Sequence, residues 1–400
     1  MHRIGGGVAA QDNIGGVIAG CFLLSVGANG FIIAPSSIGV LFAERFDVTT
    51  AIVGNAVSAT FVGLIVIQIP SGYLFNRFDN RIIVGSGALA FALLCVLIQR
   101  VHQFDNFLLL RGVGGLLVGL VFTGGANIVG HVARPHQQGV ATGIYLASPP
   151  MAFAIAHITG PFVGRMYGPL WVFLVHGAVA LLGLLLFGYT ARKPIQTDTS
   201  PSFDGFVFAL QNKAVLLVSL SAFCAYALYV FLNTWMPTYG LEILSLSLAD
   251  AGFVTAAVPL AGIVARTSGG WLSNRIGRRP VLAAGLLASF VSLVLIPLTH
   301  SVVLFIVIAT CAGFAVQLGS GVYFVLTREL AASGTEATSL TVLTTILFTG
   351  SFSAGIGGGW LIETYSWRVT LFVFASIGVL GVLVLAPVSG YTSPTAKESR

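Results

Sequence analysis

Charge is what this chain has least of: only 8% of its 400 residues are Asp, Glu, Lys or Arg. A water-soluble domain is covered by roughly a quarter charged residues, so this chain cannot solvate its own surface, and its solvent is largely lipid. Cysteine is also scarce. Cys21, Cys95, Cys224 and Cys311 stand far apart inside apolar segments, which excludes a disulfide framework or a thiolate metal site and leaves them as small core hydrophobes. No metal and no cofactor is expected. The net charge of +6 is no nucleic-acid footprint, because the basic residues are scattered through short connectors and form neither a run nor a face. Enzyme signatures are missing as well: there is no His-Glu-x-x-His, no Gly-x-Ser-x-Gly and no carboxylate pair inside an apolar run. No Asp or Glu lies in the middle of any run, which counts against cationic substrates and favours neutral or anionic ones.

Apolar sequence is abundant, at 56%. A membrane helix needs about 20 such residues, and twelve runs qualify: 14–42, 50–73, 81–99, 105–130, 138–164, 169–190, 214–237, 250–272, 280–299, 302–326, 337–361 and 366–388. The first is too long for a signal-peptide core and reads as a helix that stays. The longest polar connector, "TARKPIQTDTSPSFDGF" at 190–206, divides the helices six and six. The expected organisation is a bundle over 1–190, a flexible cytoplasmic linker over 191–213 and a second bundle over 214–400. Lys and Arg orient the chain. With the amino terminus inside, inner segments hold Arg3, Arg77, Arg81, Arg134, Arg192, Lys193, Lys213, Arg275, Arg278, Arg279, Arg328, Lys397 and Arg400, against Arg45, Arg100, Arg165 and Arg368 outside. Both termini are therefore expected in the cytoplasm, with the chain in the inner or plasma membrane as a monomer in lipid.

One polar phrase occurs twice. "SGYLFNRFDNR" at 71–81 returns as "GGWLSNRIGRR" at 269–279, displaced by 198 residues. At that displacement Gly72 falls on Gly270, Asn76 on Asn274, Arg77 on Arg275, Arg81 on Arg279, and far downstream Gly160 on Gly358 and Tyr167 on Tyr365. A parallel six-plus-six repeat is a two-bundle transporter plan, with the substrate held between the halves. The fold class expected is an all-α polytopic membrane protein of 12 transmembrane helices in two pseudo-symmetric six-helix bundles.

These phrases resemble the Gly-x-Leu-x-Asp-Arg-x-Gly-Arg-Arg loop of the major facilitator superfamily. "RGVGGLLVG" from Arg111 is similar to that family's helix 4 signature, "AHITGPFVG" at 156–164 (Gly160, Pro161, Gly164) to its helix 5 signature, and "WMPTYGLEILSLSLADAG" at 235–252 to its join of helices 7 and 8. The resemblance spans the chain and implies alternating access about a central site. It also implies a cytoplasmic latch at the loop phrase, formed by Gly72, Asn76, Arg77, Asp79 and Arg81 in the first copy and Gly270, Asn274, Arg275, Arg278 and Arg279 in the second. Both copies carry asparagine where the family usually has aspartate, and Asp79 replaces the family's glycine in the first, so Asp79 either supplies the missing charge or is a solvated loop residue.

Charge inside a membrane costs some 2.5–3.5 kcal/mol by insertion scales, so each case is a candidate site. Arg266 is nine residues before Arg275, about 13 Å up its helix, and its counterpart at the 198 displacement is Gln68. Facing one another across the cavity, the two would form a ligand pair. In the nitrate and nitrite porters of the superfamily, arginines at these helix positions are understood to clamp the anion. Arg266 is thus either an anion ligand or a structural arginine, and nitrate itself is put in doubt by the Pro-Pro pair of "GIYLASPPMAFAIAH" in place of that branch's signature. The family's architecture places Asn29, Tyr226, Tyr229, Asn233, Trp235 and Gln317 about the same cavity, with packing as the alternative for each; Arg111, a substrate-site candidate in helix 4, is either a coupling residue or part of a structural hydrogen-bond network. His157 and His176 are the titratable groups left; a histidine changes charge near neutral pH, so His157, beside the Gly-Pro signature, is the coupling candidate unless it is simply a hydrogen-bonded packing residue. The expected function is secondary transport of a small anion or polar metabolite, with a coupling proton or exchanged anion as co-substrate. The alternative is proton-coupled efflux of amphipathic compounds.

Overall fold

A computed structural model describes residues 13–196 and 203–390. Arg3, Lys397, Arg400 and connector residues 197–202 lie outside the described residues. Twelve helices among them are long and apolar enough to cross a membrane: α1 (Ile14–Ile33), α2 (Thr50–Arg77), α3 (Asn80–Arg100), α4 (Phe104–Val132), α5 (Gln138–Tyr167), α6 (Trp171–Thr190), α7 (Lys213–Glu242), α8 (Leu248–Ile276), α9 (Arg278–Leu298), α10 (Val302–Leu330), α11 (Glu336–Thr364) and α12 (Trp367–Val388). In lipid every backbone polar group needs an internal partner, and helices supply it. Polar side chains start many of them: Asn13, Thr49, Asp79, Asn212, Ser247, Ser301 and Ser366 each accept from a first-turn amide.

Proline sets two departures from the expected spans. The first run ends at Ile33 because Pro35 cannot continue the helix; a short turn and the helix Gly39–Phe46 follow. The fifth is broken between Leu146 and Ser148, just ahead of Pro149 and Pro150. The connector expected to be flexible also contains a helix, Phe203–Gln211, which packs on α11.

Helices α1–α6 pack among themselves, as do α7–α12, and the two sets meet chiefly where α2 lies on α11 and α5 on α8. The end of the molecule away from the chain termini, called here the far side, is tightly closed. Every residue from Leu24 to Gly39 and from Ala227 to Gly240 is buried there. Glycine makes the approach possible. A Cβ on Gly54 of α2 would lie 2.6 Å from the Gly355 carbonyl oxygen of α11, and one on Gly252 of α8 would lie 2.4 Å from the His157 carbonyl oxygen of α5. These two contacts are mates at the 198 displacement. So are the hydrogen bonds beside them: Trp235 Nε1 donates to the Ala354 carbonyl at 3.0 Å, and Ser37 Oγ to the Ala156 carbonyl at 3.3 Å. One half fills its seam with an indole against glycines, the other with a serine against a histidine.

Candidate functional site

Nearer the middle of the helices the seam becomes polar. Arg266 of α8 donates from Nε to Gln317 Oε1 of α10 at 3.1 Å and from Nη1 to the Leu146 carbonyl of α5 at 2.5 Å. It has no carboxylate within ion-pair distance among the described residues. The Leu146 carbonyl is free to accept because the amide four residues on belongs to Pro150, which has no N–H. Its neighbour, the Tyr145 carbonyl, faces Pro149 in the same way and is taken by the Ser148 hydroxyl at 2.6 Å. The mate of the Arg266–Leu146 bond is Gln68–Thr344, again at the 198 displacement: Thr344 Oγ1 donates to Gln68 Oε1 at 3.0 Å. Arg266 and Gln68, expected to face each other, instead each reach across the seam to the opposite bundle.

Around Arg266 the structure gathers Tyr229, Tyr226 and Gln317. The Tyr229 hydroxyl faces Gln317 and Arg266, yet it and Gln317 Nε2 both lack hydrogen-bond partners although both residues are buried. The Tyr229 ring stacks across the seam on Phe153, centroids 5.9 Å apart, and Tyr226 shares a hydrogen bond with Ser320 at 3.0 Å. One turn further, Asn233 gives its Nδ2 proton to the Tyr229 carbonyl at 2.8 Å, which leaves Oδ1 unpartnered and turned to the neighbouring His157. His157 is fully buried, with Nδ1 3.0 Å from Ser37 Oγ and Nε2 without a partner. Buried polar groups are nearly always paired; these four stand as two neighbouring couples, Tyr229 with Gln317 and Asn233 with His157, neither closed by a well-formed hydrogen bond.

Other expected site residues fall elsewhere. Arg111 is fully buried, with its fork spent on main chain: Nε on the Ala56 carbonyl at 2.9 Å, Nη2 on the Ile32 carbonyl at 2.7 Å and Nη1 on the Phe31 carbonyl. Pro35 frees the Phe31 oxygen, so Arg111 caps the carboxyl end of α1, where the helix dipole favours a cation; Phe31 and Phe173 rings pack against it at 4.3 and 5.3 Å. Asn29 joins α1 to α5 through Ser25 and Ser148 and bonds its own helix. His176 packs on Gly27 and Gly30 inside the first bundle. Gly160 and Gly164 lie against Ser37, Ile38 and Leu41, and Pro161 against Gly252.

The loop phrases stay within their own halves wherever their side-chain bonds are seen. Arg77 bonds the Tyr73 hydroxyl, and Arg275 lies 3.9 Å over the Trp271 ring. Arg278 reaches Asn274 Oδ1 at 2.5 Å and Glu329 at 3.2 Å. Asn76 and Gly72 are half-buried, as is Arg279. Gly270 has open space beside it; its neighbour Gly269 makes the close approach, 1.8 Å from a Cβ to the Leu318 oxygen. The glycine-to-aspartate change in the first copy has a backbone consequence. Gly277 turns at φ +95°, whereas its mate Asp79 sits at φ −60° and caps α3. Asp79 also pairs with Arg81 at 2.7 Å and accepts the Ile195 amide at 3.1 Å, while Arg81 holds the Ala191 carbonyl. Burial raises the Asp79 pKa, but the Arg81 and Ile195 hydrogen bonds outweigh it and hold the carboxyl below its usual range. Asp79 thus straps the start of the mid-chain connector to its own bundle.

Twelve apolar helices in two sets, closed at one end and holding a half-buried arginine and open polar groups along the seam, define a two-bundle membrane carrier. The chain belongs to the Major Facilitator Superfamily, whose description matches residues 17–275 and 218–400; it is a polytopic transporter of that superfamily. It is 29% identical over 68% of its length, and 71% of the other chain, to a probable nitrate/nitrite transporter NarK2 of Mycobacterium tuberculosis. It is 24% identical over 85% of its length, and 76% of the other chain, to a probable small intestine urate exporter of Homo sapiens. Among solved structures, a POT family transporter in complex with a thioalcohol-conjugated peptide superposes with a TM-score of 0.78, covering 95% of this chain and 98% of that one at 13% identity. That likeness bears on the fold alone.

Proposed function

We propose that this carrier moves a small anion across the cytoplasmic membrane by alternating access, with Arg266 as the anion ligand. The observation that carries the reading is one cation with no carboxylate at ion-pair distance among the described residues, beside two buried polar groups without hydrogen-bond partners, Tyr229 OH and Gln317 Nε2. An oxyanion supplies acceptors to the two open groups and a counter-charge to Arg266, and charge-assisted bonds of this kind are roughly twice as strong as neutral ones. The relatives named for nitrate, nitrite and urate support the same charge class. The termini face the cytoplasm, on the strength of the basic residues gathered on that side, so the closed far side faces outward.

An exchanged anion is the preferred co-substrate. Coupling to a proton has one observation in its favour, the unpartnered His157 Nε2 at the far-side seam. The test is flux in proteoliposomes for nitrate, nitrite, urate and glycerol 3-phosphate, each with and without a pH gradient. Arg266→Ala abolishes anion flux if the reading holds; flux of every anion at the wild-type rate refutes it. Flux driven by the pH gradient and flat in His157→Gln assigns the coupling to a proton.

A further inference from the structure

The bond from Arg266 to the Leu146 carbonyl crosses the seam, and nothing in an ordinary helix would supply it. A carbonyl at that position is normally consumed by the amide four residues on, and here that residue is Pro150. The mate half has Phe348 at the equivalent place, with its N–H present, and there the tie is made between side chains, Thr344 to Gln68. Only the half facing the arginine has its backbone acceptor released.

We propose that Pro150 makes the Leu146 carbonyl a resident stand-in for the substrate, holding Arg266 in the empty carrier and giving way when the anion arrives. The inference rests on the reading of Arg266 as the anion ligand. In the empty state the guanidinium keeps a charge-assisted bond across the seam, while Tyr229 OH and Gln317 Nε2 stay open. In the loaded state the anion satisfies all three donors, and the α5–α8 tie is released. Occupancy of the site is thereby linked to a bond between the bundles, and the empty carrier does not have to cross the membrane with a bare cation. Pro150 is a positioning residue, acting through the Leu146 oxygen.

Pro150→Ala restores the amide that takes the Leu146 carbonyl back into its helix and removes the anion's competitor. The affinity of purified carrier for the tightest-bound anion of the nitrate, nitrite, urate and glycerol 3-phosphate panel then rises roughly tenfold, the weight of one hydrogen bond to a charged group. Pro149→Ala is the control: its amide competes with Ser148 for the Tyr145 carbonyl and leaves Arg266 alone, so affinity stays at the wild-type value. Pro150→Gly supplies the same N–H with a freer backbone and gives the same result should the alanine variant fold poorly. Unchanged affinity in both Pro150 variants, or an equal rise in Pro149→Ala, overturns the proposal. If affinity depends on Arg266 but not on Pro150, the stand-in fails and the anion reading survives; if it depends on neither, both fail.

Discussion

Replacing Gly54 by alanine places a methyl group where the far-side seam has no room. The new Cβ would lie 2.6 Å from the Gly355 oxygen and 2.3 Å from the Trp235 ring. An ordinary carbon–oxygen contact is about 3.4 Å, so α2 and α11 must separate by nearly 1 Å. Trp235 cannot swing away without leaving its hydrogen bond to Ala354, and a second glycine, Gly358, bounds the other side of the indole, 2.3 Å from where its own Cβ would be. Overpacking of this kind costs about 1–3 kcal/mol, which shifts a two-state balance by about 5- to 150-fold. Under the proposed alternating access the cost falls on the far-side-closed state alone, because the helices part in the other. The assay is labelling of Thr234→Cys, a position 2% exposed in the closed far-side stretch of α7, by a membrane-impermeant maleimide. It needs a background in which the exposed Cys311 is replaced by serine, since the remaining native cysteines are buried. Gly54→Ala is expected to speed labelling at least fivefold, and Gly252→Ala, whose Cβ meets the mate carbonyl at 2.4 Å, to do the same. Gly130→Ala, with nothing within 4 Å, serves as the control. Labelling of both seam variants at the control rate would refute the claim that these glycine contacts close the far side.

Two further outcomes follow from the parts that hold the bundles in shape. Arg111→Ala leaves the Phe31 and Ile32 carbonyls without their cap and is expected to lower stability by about 3 kcal/mol or more, read as a fall in melting temperature; loss of anion affinity at unchanged melting temperature would put Arg111 back in the binding site. Asp79→Ala releases the Ile195 amide, so hydrogen exchange over 191–196 accelerates at neutral pH. Because the Asp79 carboxyl is held below its ordinary range, the strap in the wild type is fully present above that range and is lost only as pH falls through the lowered value. Protection that fades already near pH 6, or that survives in Asp79→Ala, would contradict it.

Helix number, repeat and family were legible because a lipid solvent leaves few alternatives for long apolar runs and because the loop phrase is polar enough to be seen twice. Arg266 was legible for the same reason, as a charge in an apolar run. Its partner was not. The acceptor is a backbone oxygen, and the only written trace of it is the Pro149–Pro150 pair, which releases carbonyls four residues upstream. Arg111 carried the same ambiguity: a buried arginine reads alike whether it meets a ligand or a helix end, and only Pro35, 76 positions earlier in the chain, betrays the free Phe31 oxygen. Thr344 escaped notice because a threonine inside a helix usually bonds its own turn, as Thr344 also does to Leu340. The displacement of 198 residues was visible in the sequence, but that it would pair Gly54–Gly355 with Gly252–His157 required three dimensions.

The central claim, that Arg266 is the ligand of a small anion, is tested most directly by calorimetric binding of nitrate, nitrite, urate and glycerol 3-phosphate to purified wild-type, Arg266→Lys and Arg266→Ala carriers. Loss of a hydrogen-bonded charge predicts about a ten- to 150-fold weaker affinity in the alanine variant, with lysine between the two because it keeps the charge and loses the fork. Equal affinity in all three proteins, at preserved melting temperatures, would contradict the account.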